Sequence, residues 1–366
     1  MPRRRLMPQS QDSTGATTTI DPDDFVAVID NPYFTLEPGT TFIYESPDGT
    51  SVTTFFVTRQ TKEILGVTCI VVEDSVTENG KLLEKTFDYF ARDIYGNVWY
   101  FGEATKEFDN GHVSREGSWL AGVDGAEPGI VMLASPTKGD EYNQENAPGV
   151  AEDSAEVVSL HESVSVPYGS FPHDVLETED TNPLAGSVEL KFYGPGVGLL
   201  LEVDPVTGEV QEQLVKIKID GTSESDTLVG KAGTDELNGY AGDDHLNGLA
   251  GNDTIDGGRG NDTLDGGLGS DVFVFESLNE GKDTITDFQA GAGGDVLDIH
   301  ELLAGFDGGS DADDFVHLVE SGGNTTVQVD ANGGVGGGKF TDVCVLAGVT
   351  GATVDSLVDD GNLVLA

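Results

Sequence analysis

The sequence predicts an all-β chain in three parts: an antiparallel sheet or barrel-like domain with a short helix, a parallel β-roll of nine-residue repeats, and a β-rich carboxy-terminal cap. Three observations carry this reading. Apolar residues alternate in short runs separated by turn residues over residues 40–217. Glycine and aspartate then return every nine residues over 221–274. Further strand-like runs follow to the end of the chain. The corresponding boundaries are a leader at 1–20, a β-rich domain at 21–220, repeats at 221–274 and a cap at 275–366.

Residues 1–20 are polar and rich in Ser and Thr, the composition of a disordered leader. Arg3, Arg4 and Arg5 are not followed by an apolar run of signal-peptide length. Nor is any stretch of the sequence long and apolar enough for a membrane span. A short helix is expected next. Asp21 suits the cap, Pro22 the first helical position, and Asp23 and Asp24 the positive end of the helix dipole. Phe25, Val26, Val28 and Ile29 would supply its buried side, and Asn31 and Pro32 would end it.

Strands joined by turns fill residues 40–217. The turn residues are Pro47-Asp48-Gly49, Asn79-Gly80, Tyr95-Gly96-Asn97, Asn110-Gly111 and Thr207-Gly208. About ten antiparallel strands over that length predict a curled sheet or barrel. Trp99, Tyr100 and Phe101, with Phe87, Tyr89, Phe90 and Tyr95, offer either an aromatic core or the lining of a cavity for a small apolar or sugar ligand.

Each of the six repeat units opens on glycine, at Gly221, Gly230, Gly239, Gly248, Gly257 and Gly266. A second glycine follows three residues on in all but the first, at Gly233, Gly242, Gly251, Gly260 and Gly269. The sixth position is always aspartate: Asp226, Asp235, Asp244, Asp253, Asp262, Asp271. The eighth is Leu228, Leu237, Leu246, Ile255, Leu264 or Phe273. A linker has no reason to hold period and apolar phase together in this way. Glycines allow a tight turn that aims backbone carbonyls inward, and the aspartate adds a carboxylate. Calcium takes six to eight oxygen ligands, about twice what one such loop supplies, so two loops must share each ion. The three remaining residues make a short strand with the apolar side chain facing in. With two units per coil, Asp226 pairs with Asp244, Asp235 with Asp253, Asp244 with Asp262, and Asp253 with Asp271, giving at most four ions. Asp243, Asn252 and Asn261 precede the aspartate in the third, fourth and fifth turns. One buried side chain per nine residues is too little to offset the backbone entropy, so this stretch is expected to be disordered without calcium.

After the repeats, residues 281–288 and 295–303 read as strand and cap, 315–329 as a hairpin, and 343–366 as a strand, a short helix near 354–358 and a last strand. The repeats, the 281–288 segment, the hairpin turn with Gly322-Gly323-Asn324 and the ending Asp360-Gly361-Asn362-Leu363-Val364 resemble the carboxy-terminal region of type I secreted proteins with hemolysin-type calcium repeats. The resemblance covers about residues 221–366. It implies an uncleaved carboxy-terminal export signal, a type I secretion transporter as partner, passage in an unfolded state, and folding outside the cell on calcium. It also implies that the six turn aspartates bind calcium.

The net charge is −48, and it is evenly spread: 28 acidic against 4 basic residues from Gly221 onward, 38 against 14 before it. Such acidity opposes binding to nucleic acid or an anionic membrane surface. Cys69 and Cys344 each sit in an alternating apolar stretch and read as buried strand residues. Catalytic motifs are not evident. His161-Glu162 opens like a zinc-protease helix, but Ser165 takes the place of the second histidine. Ser170 lacks the glycine spacing of a nucleophile elbow, and His112 and His173 are isolated. The expectation is a secreted calcium-binding protein whose amino-terminal domain binds a ligand. The alternative is an extracellular hydrolase with an unrecognised site.

Overall fold

The computed structural model describes residues 20–109, 111–307, 309–334 and 338–366. The polar leader up to residue 19 and Asn110 of one expected turn lie outside the described residues. The chain divides into two compact units, Met1–Val215 and Lys216–Ala366.

The first unit is an antiparallel meander. Its ladder runs Thr40–Glu45, Ser51–Ile64, Val67–Glu78, Lys81–Asp93, Val98–Glu103 and Glu127–Met132, each strand paired with the next. A second run pairs Glu141–Asn143 with Ser154–Val166, then Gly169–Asn182, Ser187–Gly194, Gly198–Val203 and the strand that begins at Val210. Alternation fixes which side chains face inward: on Thr40–Glu45 the buried positions are Thr40, Phe42 and Tyr44. Asn79 and Gly80 both take positive φ, 50° and 75°, as the tight turn between long strands requires. Buried Asp93 organises the Tyr95–Asn97 turn, accepting bonds from the backbone of Tyr95 and Asn97, from Asn97 Nδ2 and from Trp99 Nε1.

The helix expected after Asp21 begins as the sequence suggests, with Asp21 accepting from the Asp23 N–H, but it is a single 3-10 turn, Pro22–Asp24. Phe25 and Val26 then pair with Asp93 and Arg92 as a strand edge. The β-branched residues behind the cap favour extended backbone, and Val28, expected on the buried side, is exposed.

The second unit is a parallel roll. Short strands stack in two ladders, so that residues 18 apart are neighbours: Leu228 beside Leu246 beside Leu264 in one, Leu237 beside Ile255 beside Phe273 in the other. From Leu237 to Phe273 these eighth-position side chains are fully buried. The ladders continue past Val274. Asp283–Ile285 pairs with Thr263–Asp265 and Val296–Asp298 with Val272–Val274, and these pair in turn with Thr341–Leu346 and Leu363–Val364. Strands of the segment expected as the β-rich cap thus extend the ladders of the roll. A hairpin, Val316–Ser321 with Asn324–Val329, turns through Gly322 and Gly323, both at positive φ. The helix Val354–Asp359 carries a capping box between Thr353 and Ser356. Both cysteines are buried and free.

Candidate calcium sites and a buried acidic cavity

The turn aspartates are placed by the 18-residue coil. One oxygen of each carboxylate, Oδ1, accepts the backbone N–H of the aspartate one coil earlier: Asp226 N to Asp244 at 2.7 Å, Asp235 N to Asp253 at 2.8 Å, Asp244 N to Asp262 at 2.8 Å and Asp253 N to Asp271 at 2.9 Å. The four expected pairs are brought together in this way. The series then continues through two aspartates outside the nine-residue period, Asp262 N to Asp283 at 2.9 Å and Asp271 N to Asp295 at 3.1 Å. Sequence reasoning missed both because spacers of 21 and 24 residues replace 18.

The second oxygen divides the turns into two kinds. In the first two, Oδ2 of Asp226 accepts the Thr222 N–H at 2.6 Å, and Oδ2 of Asp235 accepts the Lys231 N–H. In the next four, Oδ2 of Asp244, Asp253, Asp262 and Asp271 is buried without a hydrogen-bond partner among the described residues. The backbone explains the change. The second residue of these later turns is left-handed, Tyr240 at φ 68°, Leu249 at 71°, Gly258 at 76° and Gly267 at 91°, whereas Thr222 and Lys231 donate to the carboxylate instead.

The opening glycines turn out to serve close approach rather than unusual φ. At Gly248, a side-chain carbon would lie 2.3 Å from Asp253 Oδ2 and 2.7 Å from the Gly266 carbonyl oxygen; at Gly239 it would lie 2.6 Å from Asp244 Oδ2 and 2.5 Å from the Gly257 oxygen. A carboxylate oxygen and a carbonyl from the next coil therefore converge on one point. The second glycines stack coil on coil: a carbon on Gly260 would sit 1.6 Å from the Gly242 oxygen, one on Gly269 1.6 Å from that of Gly251, and one on Gly251 2.1 Å from that of Gly233.

Asp243, Asn252 and Asn261 are exposed and form a separate outer ladder. Asp243 Oδ1 accepts the Asn261 N–H at 2.9 Å, Asn252 Oδ1 the Ser270 N–H at 3.0 Å, and Asn261 Oδ1 the Lys282 N–H at 3.4 Å.

Electrostatics match a set of carboxylates assembled for a cation. Burial is the main reason that Asp253 is pushed up to about 8, Asp262 and Asp271 to about 6 and Asp283 to about 7, with neighbouring carboxylates adding to the rise. Orphaned acceptors, converging carbonyls and a surplus of buried negative charge all fit a hard divalent cation.

The comparisons with known proteins agree with this geometry. A family model for the RTX calcium-binding nonapeptide repeat matches residues 220–254 and 239–273. A solved structure, the AlgE6R3 subunit of the Azotobacter vinelandii mannuronan C5-epimerase, is 30% identical over 40% of this chain and 81% of its own, with a TM-score of 0.30. Residues 220–273 are RTX calcium-binding nonapeptide repeats. Extracellular lipase LipA of Serratia marcescens is 18% identical over 57% of this RTX protein and 31% of its own chain, with a TM-score of 0.29. A Bacteroides fragilis protein described as exported, with a YmcC-like fold, is 17% identical over 52% of this chain and 99% of its own, at 0.31. No curated protein matches the RTX chain in sequence. Among its described residues, no helix is long and apolar enough to cross a membrane.

The first unit of the RTX protein holds a cavity of about 290 Å³. Of the aromatic residues singled out in the sequence, Phe90 and Tyr100 line it. Trp99 and Phe101, one residue on either side of Tyr100, pack instead against Phe25, with ring centroids 6.0 and 5.5 Å apart. Tyr89 lies under the Lys62 ammonium, and Tyr95 is exposed. Period-2 alternation sends neighbours to opposite faces of the sheet, so a run of three aromatics cannot line one cavity.

Carboxylates occupy much of the remaining wall. Asp88 accepts the Tyr100 hydroxyl at 2.6 Å, and Glu212 accepts the Thr53 hydroxyl. Lys191 pairs with Glu202 at 3.2 Å and with Asp180 and Glu189 at 3.8 Å. His161 lies on the strand Ser154–Val166 and is well exposed beside Asp174, so the local backbone is not a zinc-protease helix. His112 and His173 are exposed on strands too.

Proposed function

We propose that this RTX protein is an exported, calcium-dependent binding protein. The four orphaned Oδ2 atoms, at one equivalent place in consecutive coils, carry the reading. Asp244, Asp253, Asp262 and Asp271 would hold the ions together with backbone carbonyls of the stacked turns. When bound, calcium neutralises the buried carboxylates and ties adjacent coils to each other.

The chain's own residues do the rest. Asp Oδ1 fixes each coil to the one before, the opening glycines leave room for oxygens to converge, and the eighth-position side chains close the core. Asp226 and Asp235, whose Oδ2 atoms are engaged by backbone N–H groups, start the roll rather than bind its best-formed ions. Ordering that depends on calcium suits a chain that crosses a transporter unfolded and meets abundant calcium outside. The carboxy-terminal stretch from Val343 serves as the export signal, and the first unit, residues 21–220 by sequence, carries a small ligand.

Circular dichroism of the full chain titrated with calcium tests the metal sites. Replacing Asp253 and Asp262 together by Ala removes most of the calcium-induced β signal; an unchanged titration would refute the assignment. Deleting residues 343–366 is expected to leave the protein inside the producing cell.

A further inference from the structure

The cavity in the first unit has two unlike halves. One is aromatic: Phe34 lies 5.4 Å from Phe90, Phe90 stacks on Tyr100 at 4.8 Å, and Phe42 meets Phe55 at 6.2 Å between ring centroids. The other half is acidic. Asp74, Asp88, Glu145, Asp153, Glu202 and Glu212 line it, against a single cation, Lys191. That lysine is already engaged by Glu202, Asp180 and Glu189.

Two of the carboxylates are left with something to bind. Oδ1 of Asp74 is buried without a hydrogen-bond partner among the described residues, and so is Oδ1 of Asp153. Asp74 sits in mid-strand, opposite Phe55 on one side and Thr86 on the other, so the ladder fixes the sheet face on which its side chain stands. A buried acceptor with no donor costs free energy that a ligand's donor can recover.

From this arrangement we propose that the cavity is a site for a small organic cation, an ammonium group carried on an apolar body. The proposal rests on the reading of the first unit as a binding domain and names what it binds. An ammonium brings three donors and no acceptor, which complements the six carboxylates and the two unpartnered oxygens of this wall. The aromatic faces beside it add cation–π attraction and take the apolar body. An anion is repelled by the carboxylates. A neutral alcohol or sugar satisfies acceptors but leaves the charge surplus in place. A bare divalent ion gains nothing from the aromatic half. The volume, about 290 Å³, suits a small molecule rather than a chain. Burial, helped by neighbouring carboxylates, holds Asp74 at about 7 and Glu145 at about 8, as expected where acidic groups lack a countercharge.

The test uses the full calcium-loaded chain. Trp99 and Trp119 are the only tryptophans, and Trp119 meets Tyr100 edge-on at 5.4 Å, so tryptophan fluorescence reports the cavity. Three probes of one length are titrated: n-hexylammonium, 1-hexanol and hexanoate. Hexylammonium is expected to bind at least tenfold more tightly than hexanol, and hexanoate to give no saturable signal. Asp74→Asn should weaken hexylammonium at least fivefold and leave hexanol unchanged, with the calcium titration of the roll intact. If Asp74→Asn does not fold, Asp153→Asn is held to the same criterion. Equal affinity for amine and alcohol, or an amine affinity indifferent to the substitution, overturns the cation proposal and leaves a binding domain. If none of the three probes binds, the binding-domain reading falls with it.

Discussion

Gly260→Ala isolates coil stacking from every other feature of the roll. Gly260 is not in the left-handed region, so an alanine there meets no backbone strain. Its Cβ would nevertheless fall 1.6 Å from the Gly242 carbonyl oxygen, where real contacts stay beyond 3.0 Å. The two coils must separate locally by about 1.4 Å, the difference of those two distances. That movement stretches the 2.8 Å bond from Gly242 N to the Arg259 oxygen and the 2.8 Å bond from Asp244 N to Asp262 Oδ1 past bonding range. The buried Asp244–Asp262 bond left unmade costs about 1–3 kcal/mol and the more exposed Gly242–Arg259 bond about 0.5–1.5 kcal/mol, or about 1.5–4.5 kcal/mol in all. Because calcium binds the folded roll, the calcium midpoint must rise. At the lower bound the rise is about twelvefold if one ion is linked to folding, and about twofold if four are linked in one step. The assay is a calcium titration followed by circular dichroism. Gly309→Ala is the control, since its added carbon meets only Asp307 Oδ1 at 3.4 Å. A Gly260→Ala protein that titrates like the parent would show that the coils are not packed as tightly as described.

Two further outcomes follow from the buried groups. The first unit should melt at a higher temperature at pH 5.5 than at pH 8, by tryptophan fluorescence in saturating calcium. Burial raises Asp74 and Glu103 to about 7 and Glu145 to about 8 in the fold. The folded state therefore holds protons that the unfolded chain, with ordinary carboxylates near 4, has lost, and stability declines as pH rises from about 4 to 8; a melting temperature that climbs over that range contradicts the sign. The thiols should separate the two units: with calcium, both Cys69 and Cys344 resist a thiol reagent, because burial pushes Cys69 up to about 12 and Cys344 well above its usual range. On chelation Cys344, which is inside the roll's ladder beside Asp283, becomes reactive while Cys69 stays protected; simultaneous reaction would mean the first unit also depends on calcium.

The repeats were legible because one period sets everything about them. Nine residues per unit and two units per coil put the aspartates 18 apart, and the structure joins them at that spacing by direct hydrogen bonds. Asp283 and Asp295 do the same job but were invisible, since extra residues in the connecting loops erase the period without disturbing the ladder. The difference between engaged and orphaned Oδ2 atoms was also hidden. It depends on whether the second residue of the turn is left-handed, and Tyr240 and Leu249 are side chains that rarely adopt that backbone. In the first unit, strand alternation told which aromatics face the same way, and grouping Trp99, Tyr100 and Phe101 together ignored it. The cavity carboxylates were obscured by composition. In a chain with 66 acidic residues, one more acid is unremarkable. The usable signal was phase: Asp74 follows Val72, and Asp88 precedes Phe90, at the two-residue spacing of an inward face.

The two units handle surplus negative charge by opposite means, and that difference accounts for what each requires. In the roll, acids from successive coils are stacked in columns: Asp253 is buried and accepts the Asp235 N–H through Oδ1, while its other oxygen has no donor among the described residues. The countercharge proposed for it is calcium. In the first unit Lys191 and the Thr53 and Tyr100 hydroxyls take part of the load, while Oδ1 of Asp74 and of Asp153 is left without a partner among the described residues. Asp253, pushed up to about 8 by burial, takes its charged form at neutral pH only with a cation beside it. The first unit is therefore expected to stay ordered by its own contacts, and the order of the second to follow the calcium around it.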